Sequence, residues 1–163
     1  MCIKDEHLIN EITVKEVSGA EVPMDILLLA DPSEAKIKAY LKNSKSFVAL
    51  IKNMVIGACV VQPREGGAYE LMSIAVQINY QKSGIGTILL KWVIEYYRKS
   101  GAKKIEVGTG TFGYQLAFYQ KQGFRVTKID KDYFINNYEQ PIFENGIRLM
   151  DMLRLTLKYP VNE

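Results

Sequence analysis

A chain of 163 residues, 48% apolar and 24% charged, is long enough for one domain with a buried core and carries no low-complexity tract. A net charge of +3, with Lys and Glu mixed along the sequence, gives no concentrated basic face and argues against nucleic acid. The apolar runs are far too short for a membrane span, so no membrane partner is expected. Residues 1–10 are polar and are expected to be loosely ordered. Ile12 and Val14 alternate with Thr13 and Lys15, as in a first strand. Glu21 to Ala30 reads as a helix with Pro23 in its first turn. Asp31-Pro32-Ser33 interrupts it, and Ser33 is an N-cap for a second helix through Ile37, Tyr40 and Leu41 to about Asn43. Phe47 to Ile51 and Met54 to Val61 are strands joined by the two-residue turn Lys52-Asn53. Gly57 weakens the second strand or marks a bulge. Pro63 to Gly67 is a mobile turn leading into a strand over Glu70 to Val76.

That strand begins the most informative stretch. Leu71, Met72, Ile74, Ala75 and Val76 are a near-continuous apolar run, and Gln81 to Gly86 form a turn of small or donor-bearing residues. Ile85, Ile88, Leu89, Trp92, Val93, Tyr96 and Tyr97 then repeat with the period of a helix that buries one face, ending at Ser100-Gly101. A helix N-terminus leaves backbone N–H groups unpaired and carries positive partial charge. Gly84 and Gly86 remove Cβ atoms that would keep an anion away. The stretch suggests a phosphate-bearing ligand, against the plainer reading of a flexible helix entry.

Ile105 to Val107 is the next strand, parallel to the one at 70–76 because a helix connects them. Gly108 to Gly113 reads as a loop, Tyr114 to Gln122 as a short helix stopped by Gly123, and Phe124 to Ile129 as a strand. Residues 130–146 are an aromatic, amide-rich excursion, and Asn145-Gly146 turns into a last strand over Arg148 to Leu157. The layout is an α/β domain, a mixed and mostly antiparallel sheet with helices on both faces.

Gly108-Thr109-Gly110-Thr111-Phe112-Gly113 matches G-x-G-x-x-G, follows a strand and precedes a helix, and Asp130 ends the next strand. This is the setting of a dinucleotide site, hence an NAD(P)-binding oxidoreductase. The following helix is short, little chain remains to complete a doubly wound sheet, and the preceding region is a hairpin, so glycines serving a tight loop are favoured. The two cysteines, Cys2 and Cys59, set no disulfide framework, and no signal peptide is visible; a reducing cytoplasm is expected. His7 is the single histidine, and no Cys–His metal spacing occurs, so no metal is expected.

Gln81-Lys82-Ser83-Gly84-Ile85-Gly86 resembles the Gln/Arg-x-x-Gly-x-Gly/Ala signature of the GNAT superfamily of N-acetyltransferases. Phe118-Tyr119-Gln120-Lys121-Gln122-Gly123-Phe124 is similar to that family's Tyr-Glu-Lys-x-Gly-Phe element. The two motifs stand at compatible spacing and cover residues 70–124. Phe112 stands where the family often has Asn, and Gln120 replaces a frequent Glu. The resemblance implies a GNAT-like sheet of six to seven strands, splayed between the fourth and fifth.

It further implies acetyl-CoA as cosubstrate, its phosphates on the N–H groups of Gln81, Lys82, Ser83, Gly84, Ile85, Gly86 and Thr87, and its pantetheine arm along Ile74, Ala75 and Val76. A Val76 N–H near the thioester carbonyl would stabilise the oxyanion. Tyr119 matches the tyrosine that protonates the leaving thiolate and also touches the cofactor; its plainer role is a core tyrosine. Glu70 matches a glutamate that some members use as base, and is weighed equally as a salt-bridged strand end. The implied acceptor is a primary amine of a small molecule or peptide. Residues 22–43 and 130–146 are its expected walls, with Tyr138, Glu139 and Glu144 as cation-receiving candidates. A non-catalytic acyl-CoA-binding regulatory module remains the alternative, and the architecture is compatible with a homodimer.

Overall fold

The computed structural model describes residues 3–161, with side chains from residue 7 onward; Cys2 lies outside the described residues. The described residues form nine strands and six α-helices, with corrections at the ends of several expected elements. The first is at the start: residues expected to be loosely ordered form helix α1 (Ile3–Asn10). Strand β1 (Thr13–Val17) follows. The expected helix over 21–30 is reduced to a 3-10 turn, Gly19–Glu21, and the single turn of α2 (Met24–Leu27). Ser18 and Glu21 close a reciprocal capping box on that 3-10 turn, and Pro23 then stands at the N-cap of α2. Helix α3 (Glu34–Leu41) starts where expected, its Lys36 N–H donating to the Ser33 hydroxyl at 3.3 Å.

Strands β2 (Lys45–Ile51) and β3 (Met54–Pro63) form the expected hairpin, with Lys52 and Asn53 both at positive φ as a tight two-residue turn demands. The pairing slips between Ala49 and Leu50, opposite Gly57, so the bulge reading of that glycine holds. Strand β4 (Ala68–Val76) pairs antiparallel with β3 and parallel with β5 (Lys104–Gly110). Helix α4 (Ile85–Lys99) crosses over between them. After β5 come α5 (Tyr114–Gln120), β6 (Arg125–Asp130) and α6 (Tyr133–Asn137). A small hairpin, β7 (Phe143–Glu144) and β8 (Ile147–Arg148), precedes β9 (Met152–Lys158). The last strand therefore begins later than the alternation from Arg148 suggests. Asn145 and Gly146, both at positive φ, are spent on the hairpin turn.

The main sheet runs β1-β2-β3-β4-β5-β9-β6. One face is covered by α4 and α5, through Phe47, Cys59, Val61, Leu71, Leu89, Val93, Tyr97, Tyr119 and Phe124. The other is covered over β2–β4 by α2 and α3, through Ile26, Leu27, Ile37, Tyr40, Val48, Ala58, Val60 and Ala75. Beyond β4 that second face carries charged side chains instead. No helix among the described residues is long and apolar enough to cross a membrane.

Candidate active site

The site is built by what β4 does in mid-course. Its register with β3 steps from Val61↔Leu71 to Val60↔Ser73, which leaves Met72 as the extra residue of a bulge. Its pairing with β5 stops at Leu71↔Val107. Beyond that point β5 follows β9, pairing through Gly108↔Arg154 and Gly110↔Met152, while β4 follows β3 to Gly57↔Val76. The two strands therefore part over residues 72–76, the splay that the family resemblance implies.

Backbone groups of successive strand residues point to opposite edges. The Gln77 N–H donates to Ile56 O at 2.8 Å, toward β3. Ala75 and Ser73 share that direction, so the N–H and C=O groups of Val76 and Ile74 face the gap. The Val76 carbonyl confirms this, since it accepts the Gln81 side-chain amide at 2.9 Å. Of the three strand residues expected along a cofactor arm, Ile74 and Val76 offer backbone donors to the gap and Ala75 does not.

The chain then turns through a 3-10 segment, Ile78–Tyr80, and enters α4. Lys82 and Gly84 both take positive φ, and the Ser83 hydroxyl donates to Tyr80 O. Gly84 is the N-cap, at φ 87°, with no side chain capping the helix and no acidic residue in its first turn. The positive end of a fifteen-residue helix is thus left open toward the mouth of the gap. A Cβ on Gly86 would lie 3.7 Å from Val76 and Phe118, so the helix start, the strand end and α5 converge there.

Tyr119 comes in on the α4 side of the sheet. It is buried, with its ring edge-on to Phe118 and Phe124. Burial, then the nearby Cys59, pushes its phenol above the ordinary value, so it holds its proton at neutral pH. Cys59 is the register partner of Ile74, which places Tyr119 beneath the gap. The structure thus brings Tyr119, Ile74, Val76 and the turn at Gln81–Thr87 together.

Glu70 is held elsewhere. Arg154 Nη1 donates to its Oε1 at 2.8 Å, and Arg64 donates to its Oε2 through Nε at 2.7 Å and through Nη2. Arg154 Nε also reaches Asp130 at 2.7 Å, and its guanidinium lies over the Tyr133 ring. The carboxylate is the centre of an ion-pair chain on the face opposite Tyr119. Sequence reasoning missed Arg154. The signal was a single arginine inside the leucine alternation of the last strand.

The second glycine turn is corrected. Gly108 and Gly110 lie within β5 rather than in a loop. A Cβ on Gly108 would stand 2.3 Å from Met152 Sδ and 3.0 Å from Arg154 Nη1, and one on Gly110 would stand 3.1 Å from Leu149. Gly108 lets β9 side chains cross β5, which is how Arg154 reaches Glu70, and Gly110 makes room for Leu149 just before β9. A cavity of about 340 Å³ beside Gln77, Ile78 and Asn79 opens next to the end of β4, lined across from them by Asp25, Ile26 and Leu29. A larger one, about 680 Å³, lies at the paired end of β4 and β5 near Arg64 and Lys104, away from the gap. Among the described residues no group of three or more His, Cys, Asp or Glu is placed to hold a metal ion.

The model of the acetyltransferase (GNAT) family matches residues 19–124. The chain belongs to the GNAT acetyltransferase family. A relative from Bacillus subtilis (strain 168), described as the uncharacterized N-acetyltransferase YvbK, is 42% identical over 134 residues, 82% of this chain and 86% of its own. Among solved structures, an IAA acetyltransferase from Bacillus cereus is 41% identical with a TM-score of 0.86, covering 91% of this chain and 99% of that one. A GNAT family acetyltransferase from Elizabethkingia anophelis with acetyl-CoA bound is 41% identical with a TM-score of 0.87, covering 92% and 99%. A Bacillus subtilis acetyltransferase in complex with CoA is 39% identical with a TM-score of 0.83, covering 92% and 99%. The enzyme class read from the two motifs, an N-acetyltransferase of this family, stands.

Proposed function

We propose that this GNAT enzyme moves an acetyl group from acetyl-CoA to a primary amine by direct attack. The observation that carries the reading is the meeting of three features at one place: an uncapped helix end, an unpaired stretch of β4 edge and a protonated buried tyrosine. The residues fit the cofactor. The N–H groups at the start of α4, from Gly84 to Thr87, would take the pyrophosphate, with the turn Gln81–Ser83 beside them. Val76 and Ile74 would pair with the amides of the pantetheine arm as an added strand edge would. The relatives with acetyl-CoA and CoA bound support this choice of ligand.

Acetyl-CoA supplies an activated carbonyl and a sulfur leaving group. The chain supplies orientation and charge control. The gap closes at Leu71, so the arm can penetrate no further than the bulge. A free N–H of β4 at that depth stabilises negative charge on the carbonyl oxygen, a contact of the oxyanion-hole kind. Tyr119 holds a proton for the departing sulfur. Its raised pKa keeps it in the donor form. Glu70, with both oxygens engaged by guanidinium groups, is read as the ion-paired strand end rather than the base, and the acceptor reacts from its neutral fraction. An amine panel with acetyl-CoA, followed by release of free thiol, tests the function. Turnover of at least one amine, with amide product detected, is expected. Acetyl-CoA binding with no turnover on any amine would favour a regulatory acyl-CoA-binding module.

A further inference from the structure

The face opposite Tyr119 carries a second polar cluster backed onto the same bulge. Asp31, in the link between α2 and α3, is only 9% exposed, and its two hydrogen bonds come from neutral donors. The Ser33 N–H (3.0 Å) and the Tyr138 hydroxyl (3.2 Å) both donate to its Oδ1, and among the described residues Oδ2 takes no such bond. Two further hydroxyls, Tyr40 on α3 and Ser73 on β4, are buried and face each other, and neither makes a hydrogen bond of good geometry to any group among the described residues. Tyr40 faces Asp31 closely enough that its phenol, pushed up to about 12, owes that first to burial and then to the Asp31 charge. Buried hydroxyls left unpaired are costly and call for a ligand or water. Ser73 follows Met72 in the bulge and precedes Ile74, so this cluster and Tyr119 flank the gap from opposite faces. Tyr138 belongs to an aromatic group with Phe134, and Lys36 Nζ already sits 4.9 Å from the Tyr138 ring centroid, a cation on its face.

Resting on the acetyl-CoA reading above, we propose that Asp31, held by Tyr138, is the acceptor-recognition carboxylate, and that the acceptor is an amine whose molecule carries a second positive charge. A nearly buried carboxylate bonded only to neutral donors is a receptor for a cation, and the aromatic rings beside it admit the carbon chain that bears one. The reacting nitrogen attacks from this face while Tyr119 serves the sulfur from the other.

Calorimetric titration of the CoA-saturated full chain with 1,4-diaminobutane, and with 4-aminobutan-1-ol as its neutral-tailed counterpart, tests this directly. The native chain is expected to bind the diamine at least about ten-fold more tightly, as a charge-assisted contact implies. Asp31→Asn is expected to erase the difference, and Asp31→Glu to keep part of it. The CoA-induced thermal shift of each variant reports that it is folded. Absence of diamine binding, equal binding of the two probes by the native chain, or an unchanged preference in Asp31→Asn would overturn the proposal. Absence of a CoA-induced shift in the native chain would instead remove the acetyl-CoA reading itself.

Discussion

Replacing Tyr119 by Phe removes one oxygen and keeps the ring. The ring centroid lies 5.2 Å from that of Phe118 and 5.7 Å from that of Phe124, contacts that Phe reproduces. Losing the hydroxyl alters stability by about 1 kcal/mol, or roughly 2–4 °C in melting temperature for a chain of this size. The chemical cost is larger. In water a phenol of pKa about 10 donates uphill to a thiolate of about 8.5. Burial pushes the phenol further up, which alone would make Tyr119 a poorer acid. Cys59, a core thiol near Tyr119, is pushed up by burial as well. A sulfur anion is therefore disfavoured there for the same reason as a phenolate, and the two sides of the transfer stay matched. Positioned proton transfer contributes about 10²–10⁴-fold, equivalent to about 3–5 kcal/mol. The variant is expected to lose at least about 100-fold in kcat, with acetyl-CoA binding within about two-fold of native because no proton moves on binding. Steady-state thiol release and calorimetric titration measure the two quantities. A rate within about three-fold of native would take Tyr119 out of the mechanism.

Gly84→Ala forces a side chain into a left-handed conformation at φ 87°, which costs about 1–2 kcal/mol and shows as a lower melting temperature and weaker acetyl-CoA binding in the same titration. Since among the described residues a Cβ there meets only Ile9 at 3.8 Å, the effect is one of backbone, and Gly84→Asn is expected to be milder. Glu70→Gln takes the carboxylate from Arg64 and leaves Arg154 with Asp130 alone, and is expected to cost about 1 kcal/mol after screening of the exposed Arg64 contact. Its kcat should change less than about three-fold, and a fall of about 100-fold or more would restore the base role. Asp130 is held below its ordinary 3.8, first by Lys128 and then by Arg154. A depressed folded-state pKa gives stability that is complete above 3.8 and is lost as pH falls through the folded value. Urea midpoints should therefore drop below pH 4 in the native chain, and Asp130→Asn should flatten that part of the curve.

Legibility in the sequence followed the range of the interactions. Helix α4 was readable because its buried residues, Ile85, Leu89, Val93 and Tyr97 among them, repeat every turn. The Lys52-Asn53 turn and the Ser33 cap are likewise settled within a few residues. The turn at Gln81–Gly86 and the helix start after it were readable because glycine conformation and a helix end carry their physics locally. Helix boundaries at 21–30 were not, since a capping box and Pro23 compete there for the same few residues. The pairs Arg154–Glu70 and Tyr138–Asp31 join residues 84 and 107 apart, and no local pattern announces either. The first favours, of the two roles weighed equally for Glu70, the ion-paired strand end. The second adds Asp31, which in the sequence looked only like the residue that breaks a helix. The G-x-G-x-x-G match failed because spacing alone cannot tell a phosphate loop from a strand that must let Met152 and Arg154 cross it.

The central claim is that the β4 edge and the start of α4 form one acetyl-CoA site. Thermal denaturation with acetyl-CoA and, separately, NADPH tests it most directly. At about 100 times its dissociation constant, a ligand confined to the folded state adds about 2.7 kcal/mol, or roughly 5–10 °C here. The account predicts that shift with acetyl-CoA, none with NADPH, and a reduced shift in Gly84→Ala. Stabilisation by NADPH and not by acetyl-CoA would contradict it.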